Sequence, residues 1–368
     1  MARRIIAAEP ASEAPLLEVE DLRTHFRTPR GRVRAVDGVS FTLERGRTLG
    51  IVGESGSGKT VLARSIMGLL PRSNVERTGA IRYKGADISG YSQSEMRHVW
   101  GPEMAMIFQD PMTSLNPVMR IGRQITESLR FHLDMRKDEA KELAVSLLRS
   151  VGIPEPAKRV KEYPHQLSGG MRQRVVIAIA LSCGPTLLFA DEPTTALDVT
   201  VQAQILNLLD DQQRERFMAM MLVTHDLGVV AGRAHDIAVM YAGKIVEKAS
   251  AKTLFASMRM PYTEALLESI PKLEYASHTR LASIPGRPPD LVNPPKGCNF
   301  APRCRYAQER CLEEEPELQP GEDSGHVFAC HFPVGTEAGR EALARNQARG
   351  YTPAQDETEV SITAGSSS

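Results

Sequence analysis

Hydrophobic and polar positions alternate from Leu16 onward, which predicts that the folded part of the chain opens with β-strands. The segment LEVEDLRTHF alternates, and VDGVSFTLERG follows it after a polar turn. A short apolar run, TLGIVG, indicates a buried strand, and VLARSIMGLL after it indicates a helix. Buried-strand runs recur at TLLFAD (186–191) and MAMMLVTHD (218–226), with TVQAQILNLLDDQQ as a helix between them. Strands that alternate with helices predict a parallel sheet and an α/β fold.

Two further elements follow from the same pattern. Residues 137–151 predict an amphipathic helix, which Gly152 and Pro154 end. Its apolar face comprises Ala140, Leu143, Ala144, Leu147, Leu148 and Val151. Further along, IAVMYAGKIVE predicts a hairpin that turns at Ala242 and Gly243.

The character of the chain changes near residue 260, where prolines accumulate (PGRPPDLVNPP) and four cysteines follow. We therefore expect a larger domain at 16–259 and a second, small domain at 260–333. Residues 1–15 and 334–368 offer little apolar surface, and we expect both to be disordered.

Composition narrows the classes of function. The 368 residues include 45 Lys plus Arg and 45 Asp plus Glu, so no basic field indicates nucleic acid or anionic lipid as a partner. No apolar run approaches the ~20 residues needed to cross a bilayer, and the IIAA run near the start is too short for a signal peptide. We expect a cytosolic protein with five reduced or metal-bound cysteines, held at any membrane by another subunit.

The stretch GESGSGKT fits the phosphate-loop pattern G-x-x-x-x-G-K-[ST], whose chance occurrence in such a chain is roughly one per cent. A predicted strand precedes the stretch and a predicted helix follows it, as the pattern requires. Backbone N–H groups of such a loop wrap the β-phosphate, the lysine neutralises the β- and γ-oxygens, and the last hydroxyl can ligate Mg²⁺. The alternative is a glycine-rich turn with an exposed lysine. The candidate phosphate-binding residues are Gly53, Glu54, Ser55, Gly56, Ser57, Gly58, Lys59 and Thr60.

The apolar strand LLFADE ends in two carboxylates, Asp191 and Glu192. At the phosphate edge of a parallel sheet, Asp191 can hold the Mg²⁺ shell and Glu192 can orient or deprotonate an attacking water. Such an ending is often only a solvated strand end. At this distance after a phosphate loop, the catalytic interpretation is favoured.

The octapeptide LSGGMRQR places two adjacent glycines in front of an apolar helix. Adjacent glycines cost backbone entropy, so we expect another group to approach that backbone closely. The N-terminus of the helix offers free N–H groups and suits an anion. The alternative is a plain helix cap by Ser168.

Taken together, these motifs resemble the ATP-binding subunit of ABC transporters. LSGGM is similar to that family's signature, normally LSGGQ, which contacts the γ-phosphate of ATP held by a partner subunit. The resemblance assigns that contact to Ser168, Gly169 and Gly170. Met171 stands where the family usually has glutamine, a change that weakens no phosphate contact we can identify.

The other family elements follow in order. Gln109 in MAMIFQ matches the glutamine that senses Mg²⁺ and water, and Asp198 in TALD matches the loop that crosses between two sites. His225 in LVTHD matches the switch histidine at the γ-phosphate, and Phe26 stands where an aromatic stacks on adenine. Taken singly, each has a plain structural alternative: a loop glutamine, a strand-end histidine or a half-buried aromatic.

The resemblance implies a P-loop ABC ATPase with a RecA-like core, an antiparallel β subdomain and a helical subdomain at about 110–170. It implies ATP and Mg²⁺ as cofactors, with the metal held through Thr60, Gln109 and Asp191. Glu192, His225 and Gln109 are the implied catalytic residues. Because the chain has one phosphate loop and one signature, two ATPase subunits must meet to complete each site.

Several stretches resemble the oligopeptide/dipeptide importer branch, above all PGRPPDLVNPPKGCNFAPRCRYAQERC. That branch implies a heterodimer of ATPase subunits, two transmembrane permease subunits and an extracytoplasmic substrate-binding protein, with this chain at the cytoplasmic face of the inner membrane. Nickel, oligosaccharides and opine-like compounds are alternative cargoes. A soluble ABC ATPase acting on nucleic acid or ribosomes is another alternative, but tandem cassettes and coiled-coil inserts are not visible in the sequence.

Four cysteines of the extension are separated by gaps of 5, 6 and 18 residues, unlike the C-x₂₋₄-C spacing of structural zinc sites. Four thiolates on irregular loops can hold an iron–sulfur cluster instead. We expect a [4Fe–4S] cluster, with zinc and then free or redox thiols as alternatives. The expected ligands are Cys298, Cys304, Cys311 and Cys330. We expect Cys183 to be a core residue and His331 to be a bystander.

Overall fold

The structure is a computed structural model that describes residues 14–71, 73–110, 114–195, 197–270 and 284–350. The strands are β1 Leu17–Thr28, β2 Gly31–Leu43, β3 Thr48–Val52, β4 Val75–Tyr83, β5 Ala86–Asp87, β6 Met104–Ile107, β7 Leu187–Asp191, β8 Ala219–Thr224, β9 Asp236–Tyr241, β10 Lys244–Ser250, β11 Gln319–Pro320 and β12 Val327–Phe328. The helices are α1 Lys59–Ile66, α2 Gln93–Val99, α3 Ile121–Leu133, α4 Lys137–Ser150, α5 Pro156–Arg159, α6 Gly169–Leu181, α7 Val199–Arg216, α8 Leu227–Val230, α9 Ala251–Ser257, α10 Pro261–Glu268, α11 Glu309–Glu313 and α12 Glu337–Ala348.

The smaller sheet is antiparallel, in the order β2-β1-β4-β5. The alternation of LEVEDLRTHF buries Leu17, Val19 and Leu22 while Glu18 and Glu20 stay nearer to solvent. One face of the sheet is therefore apolar and packs inward, as a half-buried antiparallel sheet requires.

The larger sheet has the order β11-β12-β10-β9-β3-β8-β7-β6. Its five strands from β9 to β6 are parallel, which confirms the predicted parallel sheet. The predicted hairpin is also confirmed, since β9 and β10 pair antiparallel across Ala242 and Gly243. Both turn residues have positive φ, as a tight hairpin needs.

The two faces of the larger sheet belong to different parts of the hydrophobic core. Ile51 and Phe189 face the cluster shared with the smaller sheet, whereas their neighbours Val52 and Leu188 face the helices. The helical segment α3–α5 packs onto this second cluster. Its buried face includes Ile125, Leu129, Ala140, Ala144 and Leu148, which confirms the predicted amphipathic helix.

The extension after residue 260 continues this core. Strand β12 pairs with β10, so the extension adds two short strands to the edge of the larger sheet. Phe300, Cys304 and Tyr306 are buried in the cluster that also holds the helical segment. The predicted boundary near residue 260 therefore marks a change in composition, and the core runs across it.

The tail differs from the expectation that it would be disordered from residue 334. Helix α12 forms there, with Thr336 as its N-cap. Ala342 is fully buried, and the Asn346 side chain donates to the backbone oxygens of Arg305 and Ala307, both at 2.9 Å. The buried face around Ala342 is enough to pack this helix against the rest of the chain, although the segment is mostly polar. The other residues predicted to be disordered, 1–13 and 351–368, lie outside the described ranges.

Across the described ranges, the helices fall short of the length and apolar character that a membrane span requires.

Candidate active site

The phosphate loop joins β3 to α1, and neighbouring backbone dictates two of its glycines. A Cβ on Gly53 would lie 2.1 Å from the Met240 carbonyl oxygen, and one on Gly58 would lie 2.1 Å from that of Ala35. Both residues have positive φ. Gly56 has positive φ with nothing within 4 Å of a Cβ position, so the tip of the loop is open to a ligand.

Lys59 is buried behind this loop, where it is 5% exposed. Its Nζ donates to the carbonyl oxygens of Gly53 at 2.7 Å and Glu54 at 2.8 Å. Burial lowers the pKa of Lys59, while the nearby carboxylates of Glu192 and Asp191 raise it. The loop therefore holds a desolvated ammonium group on two carbonyls, from which it can turn to phosphate oxygens.

Thr60 and Asp191 form the best candidate for holding Mg²⁺. The Thr60 hydroxyl donates to Asp191 Oδ1 at 2.9 Å, and the buried Oδ2 of Asp191 has no hydrogen-bond partner in the structure. Burial is also the main cause that raises the pKa of Asp191. Hard oxygen ligands suit Mg²⁺, which takes one or two carboxylates together with substrate phosphates and water. These two side chains fit that requirement.

The predicted catalytic residues converge on one carboxylate oxygen. Gln109 Nε2 donates to Glu192 Oε2 at 3.0 Å, and His225 Nδ1 lies 3.5 Å from the same oxygen. The Thr195 hydroxyl, which we did not single out in the sequence, also donates to it at 2.8 Å. Glu192 itself has a φ of 45°, a left-handed conformation that is uncommon for a residue with a side chain. The fold thus gathers residues from positions 109, 192, 195 and 225 at the carboxyl edge of the sheet.

The signature residues lie at the surface. Ser168 and Gly169 are exposed, and the Ser168 hydroxyl caps α6 by accepting from the Met171 N–H at 3.3 Å. A Cβ on Gly169 would meet nothing closer than 3.8 Å, whereas one on Gly170 would lie 2.8 Å from Val201 Cγ1. The structural alternative for Ser168, a helix cap, therefore holds whether or not the residue also contacts a ligand.

Asp198 likewise has a structural role, because its Oδ1 accepts from the Val201 N–H at 2.9 Å and caps α7. Phe26 lies on β1, opposite Val33 and Val75, and is half-buried. The contacts of the described residues do not test its role in stacking on adenine.

The four cysteines of the extension border one apolar cavity of about 10 Å³. All are free thiols, and burial raises the pKa of Cys298 to about 11 and that of Cys304 further. A cavity of that size holds about one water molecule. In the described ranges no group of three or more His, Cys, Asp or Glu side chains is arranged to hold a metal ion. The donor chemistry fits the expected iron–sulfur cluster, and the geometry of this conformation does not.

Two further expectations from the sequence concern Cys183 and His331. Cys183 is half-buried, with Sγ 3.7 Å from the Ser128 carbonyl oxygen, as a residue packed against the helical segment should be. His331 borders the cysteine cavity, but its Nε2 is bonded to the Glu314 carbonyl oxygen at 3.0 Å.

Two residues of the extension reach the phosphate loop, and no sequence pattern indicated either of them. The Glu54 N–H donates to the Tyr262 hydroxyl oxygen at 2.8 Å, and the Glu54 carboxylate pairs with Arg303. These partners are 208 and 249 residues away along the chain. Only the folded arrangement brings them together.

Comparison with known proteins agrees with this geometry. The chain matches the family model described as "ABC transporter" over residues 36–195 and the model described as "Oligopeptide/dipeptide transporter, C-terminal region" over residues 246–311. Among solved structures, cbiO1 from Clostridium perfringens, part of the ABC transporter complex cbiONQ, is 27% identical with a TM-score of 0.57, and the match covers 67% of this chain and 92% of that one. The dimeric bacterial ABC transporter cassette MJ0796 is 24% identical with a TM-score of 0.58, covering 64% and 98%, and shows the fold alone.

Two curated relatives are similar over nearly their whole length. The oligopeptide transport ATP-binding protein OppD of Bacillus subtilis is 53% identical over 313 residues, 85% of this chain and 87% of that protein. The dipeptide transport ATP-binding protein DppD of Escherichia coli is 48% identical over 328 residues, 89% of this chain and 99% of that protein. With a phosphate loop, a carboxylate-ended strand and a signature helix in place, the chain belongs to the ATP-binding subunits of ABC transporters, in the oligopeptide/dipeptide branch.

Proposed function

We propose that this chain hydrolyses Mg²⁺–ATP at the phosphate loop and so powers the uptake of peptides through membrane subunits. The observation that carries the proposal is the convergence of Gln109, Thr195 and His225 on one oxygen of Glu192, beside Lys59 and Asp191. The cargo rests on the names of the OppD and DppD relatives and on the family model that spans the extension.

Each residue has a distinct part in the reaction. The loop backbone and Lys59 bind the β- and γ-phosphates. Thr60, Gln109 and Asp191 would hold Mg²⁺, which would neutralise charge on those oxygens. Glu192 is the general base for the attacking water. The Gln109 amide and the Thr195 hydroxyl both donate to Oε2 and hold the carboxylate in place, so that Oε1 is the oxygen that takes the proton. His225, beside the same carboxylate, contacts the γ-phosphate.

Each ATP is shared between two ATPase subunits in this proposal. Ser168, Gly169 and Gly170 would close over the nucleotide of a second, homologous subunit, and Asp198 would lie between the two sites. The exposure of Ser168 and Gly169 supports a surface that another subunit covers. The family branch favours a heterodimer.

The whole assembly would contain two permease subunits and an extracytoplasmic binding protein. This chain would then associate peripherally with the cytoplasmic face of the inner membrane, through the permease. Phe108 and Val118, which are 39% and 83% exposed next to the helical segment, offer apolar surface for that contact.

Peptide uptake by a strain that lacks the chain tests the cargo. Growth on a panel of di- and oligopeptides should be lost on deletion and restored by the wild-type chain, but not by Lys59→Ala. Unchanged growth on every peptide, together with lost uptake of nickel or an oligosaccharide, would assign the ATPase to that cargo instead.

We further propose that Cys298, Cys304, Cys311 and Cys330 hold a metal centre, a [4Fe–4S] cluster or else zinc. Their convergence on one cavity and their soft donor chemistry support this, whereas the small cavity requires the thiols to move on binding.

Metal analysis after anaerobic purification of the full complex separates these possibilities. About four irons with matching sulfide per chain support the cluster, and one zinc per chain supports the alternative. A folded, active preparation without either metal would refute both and leave four free thiols.

A further inference from the structure

Arg303 is a buried cation in the extension, directly before Cys304 and 4% exposed. It lies at the end of a short 3₁₀ turn, Ala301–Arg303. A buried guanidinium needs a charge partner and acceptors for its N–H groups, since desolvation otherwise costs more than the fold can offset.

The partner is a residue of the phosphate loop. Arg303 Nη1 donates to Glu54 Oε2 at 2.6 Å and Nη2 donates to Glu54 Oε1 at 2.9 Å, a bidentate pair. The remaining N–H groups donate to the Tyr241 hydroxyl at 3.2 Å, the Pro285 carbonyl oxygen at 2.8 Å and the Ile284 carbonyl oxygen at 3.4 Å. Such a fork fixes both the position and the plane of the Glu54 carboxylate.

Glu54 is also fixed through its backbone. Its N–H donates to the Tyr262 hydroxyl oxygen at 2.8 Å, and the Tyr262 ring packs on Tyr241 with ring centroids 4.5 Å apart. Its carbonyl oxygen accepts from Lys59 Nζ at 2.8 Å. Three groups of one residue thus connect the extension to the lysine that meets the phosphates.

The negative charge of Glu54 is the reason why this connection affects ATP binding. An unpaired carboxylate in the phosphate loop repels an incoming polyphosphate, and it competes with the phosphates for Lys59. The carboxylate is about a quarter exposed, so the loop side of the pair is open to solvent while Arg303 is not. Pairing with Arg303 offsets the charge of the carboxylate and holds both of its oxygens on the guanidinium.

We propose that Arg303 is a positioning residue of the ATPase: by holding the Glu54 carboxylate, the extension sets the affinity of the phosphate loop for ATP. The inference rests on the proposed role of residues 53–60. It makes the extension part of the nucleotide site, although Arg303 touches no reacting atom.

The test is the ATP dependence of hydrolysis by the assembled transporter. Arg303→Met should raise the KM for ATP by about tenfold or more while kcat changes by less than about threefold, because the lost interaction is a buried ion pair outside the reacting atoms. The KM of Arg303→Lys should lie between those of the wild type and Arg303→Met, since lysine keeps the positive charge but cannot form the bidentate pair. Arg310→Met is the matched control, because Arg310 is an exposed extension arginine paired with Glu314, and its KM should stay at the wild-type value.

A double-mutant cycle excludes a merely structural effect. Glu54→Gln in the Arg303→Met background removes the unpaired carboxylate and should bring the KM back to within about threefold of Glu54→Gln alone. If the two changes simply add, or if Arg303→Met keeps the wild-type KM, the inference is overturned. Lys59→Ala tests the proposed function separately. Normal ATP binding by Lys59→Ala would refute the role of the phosphate loop. Lost ATP binding by Lys59→Ala, together with a wild-type KM for Arg303→Met, would refute only the role of Arg303.

Discussion

Glu192 combines two features that rarely coincide by accident. Its backbone is in the left-handed region, and its Oε2 accepts from both Gln109 and Thr195. A non-glycine residue in that conformation costs of order 1 kcal/mol or more, and such strain is kept where the surrounding structure over-determines the residue. The strain and the hydrogen bonds together place one carboxylate at the carboxyl end of β7, next to Asp191.

Replacing Glu192 by Gln should lower the rate of ATP hydrolysis by the assembled transporter by about 10²–10⁴-fold, because the water loses its base. Nucleotide binding should persist, since Lys59, Thr60 and Asp191 are unchanged. Turnover and equilibrium nucleotide binding measured on the same preparation check this. Activity within threefold of the wild type would move the role of base to another residue.

Thr195→Val provides the matched comparison at the same carboxylate. Valine keeps the shape of threonine and removes only the donor at 2.8 Å, so turnover should fall by about 10–100-fold, the range of one hydrogen bond to a charged group. A loss as large as that of Glu192→Gln would mean that Thr195 does more than orient the base.

At the scale of the element, the first turn of α6 contains two glycines that differ in how closely other side chains approach them. Gly170 faces Val201 of α7 closely enough that a Cβ would lie 2.8 Å from it, whereas a Cβ on Gly169 would make only an ordinary contact with Leu197 at 3.8 Å. Packing within the chain therefore explains Gly170. It does not explain Gly169, which fits the proposed approach of a partner subunit's nucleotide.

Gly169→Ala separates folding from function at this helix. Alanine is the better helix former by about 0.5–1 kcal/mol, so the melting temperature of the isolated chain should stay the same or rise. Hydrolysis by the assembled transporter should nevertheless fall, because the new methyl group occupies the space that the partner's ATP needs. Calorimetry of the chain and turnover of the complex are the two measurements.

Gly170→Ala is the control for packing, and it should lower the melting temperature because Val201 must move. Full ATPase activity of the Gly169→Ala complex would contradict the contact with the partner's nucleotide.

The element scale also shows where prediction from the sequence succeeds. The parallel strands, the amphipathic helix over residues 137–151 and the hairpin at Ala242 were predictable because each depends on periodicity or turn chemistry within a short window. The strand–loop–helix arrangement around residues 53–60 and the place of Asp191 and Glu192 at the end of β7 were predictable because each motif consists of adjacent residues. Helix α12 was missed because its docking depends on a small buried surface, Ala342 and Asn346, inside a polar segment.

Contacts between distant segments could not be predicted from the sequence, because they depend on the folded arrangement. Nothing in the residues around Arg303 specifies a partner 249 positions earlier, and nothing around Thr195 distinguishes it from Thr194. The two threonines differ only once the loop is folded, when Thr195 donates to Glu192 and Thr194 is buried.

At the scale of the whole molecule, a single hydrophobic cluster unites the helical segment, one face of the larger sheet and the extension. Strand β12 completes that sheet beyond β10. The ATP-binding part and the extension should therefore unfold together. Ser168 and Val199 are exposed, and we expect the proposed second ATPase subunit to cover the surface at Ser168.

The purified chain alone should hydrolyse ATP slowly, and addition of the partner ATPase and permease subunits should raise the rate at least about tenfold, because signature donors complete the charge stabilisation of the transferring phosphoryl group. Light scattering and ATPase assays over a range of concentrations test this. A monomer that turns over at the rate of the full complex would contradict the shared site.

The sequence distance between Glu54 and Arg303 also separates the two residues in time during synthesis. During translation the phosphate loop leaves the ribosome 249 residues ahead of the arginine that pairs with it, an interval of roughly 10–50 s at ordinary elongation rates. Throughout that interval the nascent loop carries a carboxylate without Arg303, and the edge of β10 that pairs with β12 has no partner strand. A chain that ends prematurely before residue 303 stays in that condition permanently. Until synthesis passes residue 303, the phosphate loop should therefore hold ATP only with the lower affinity that we predict for Arg303→Met.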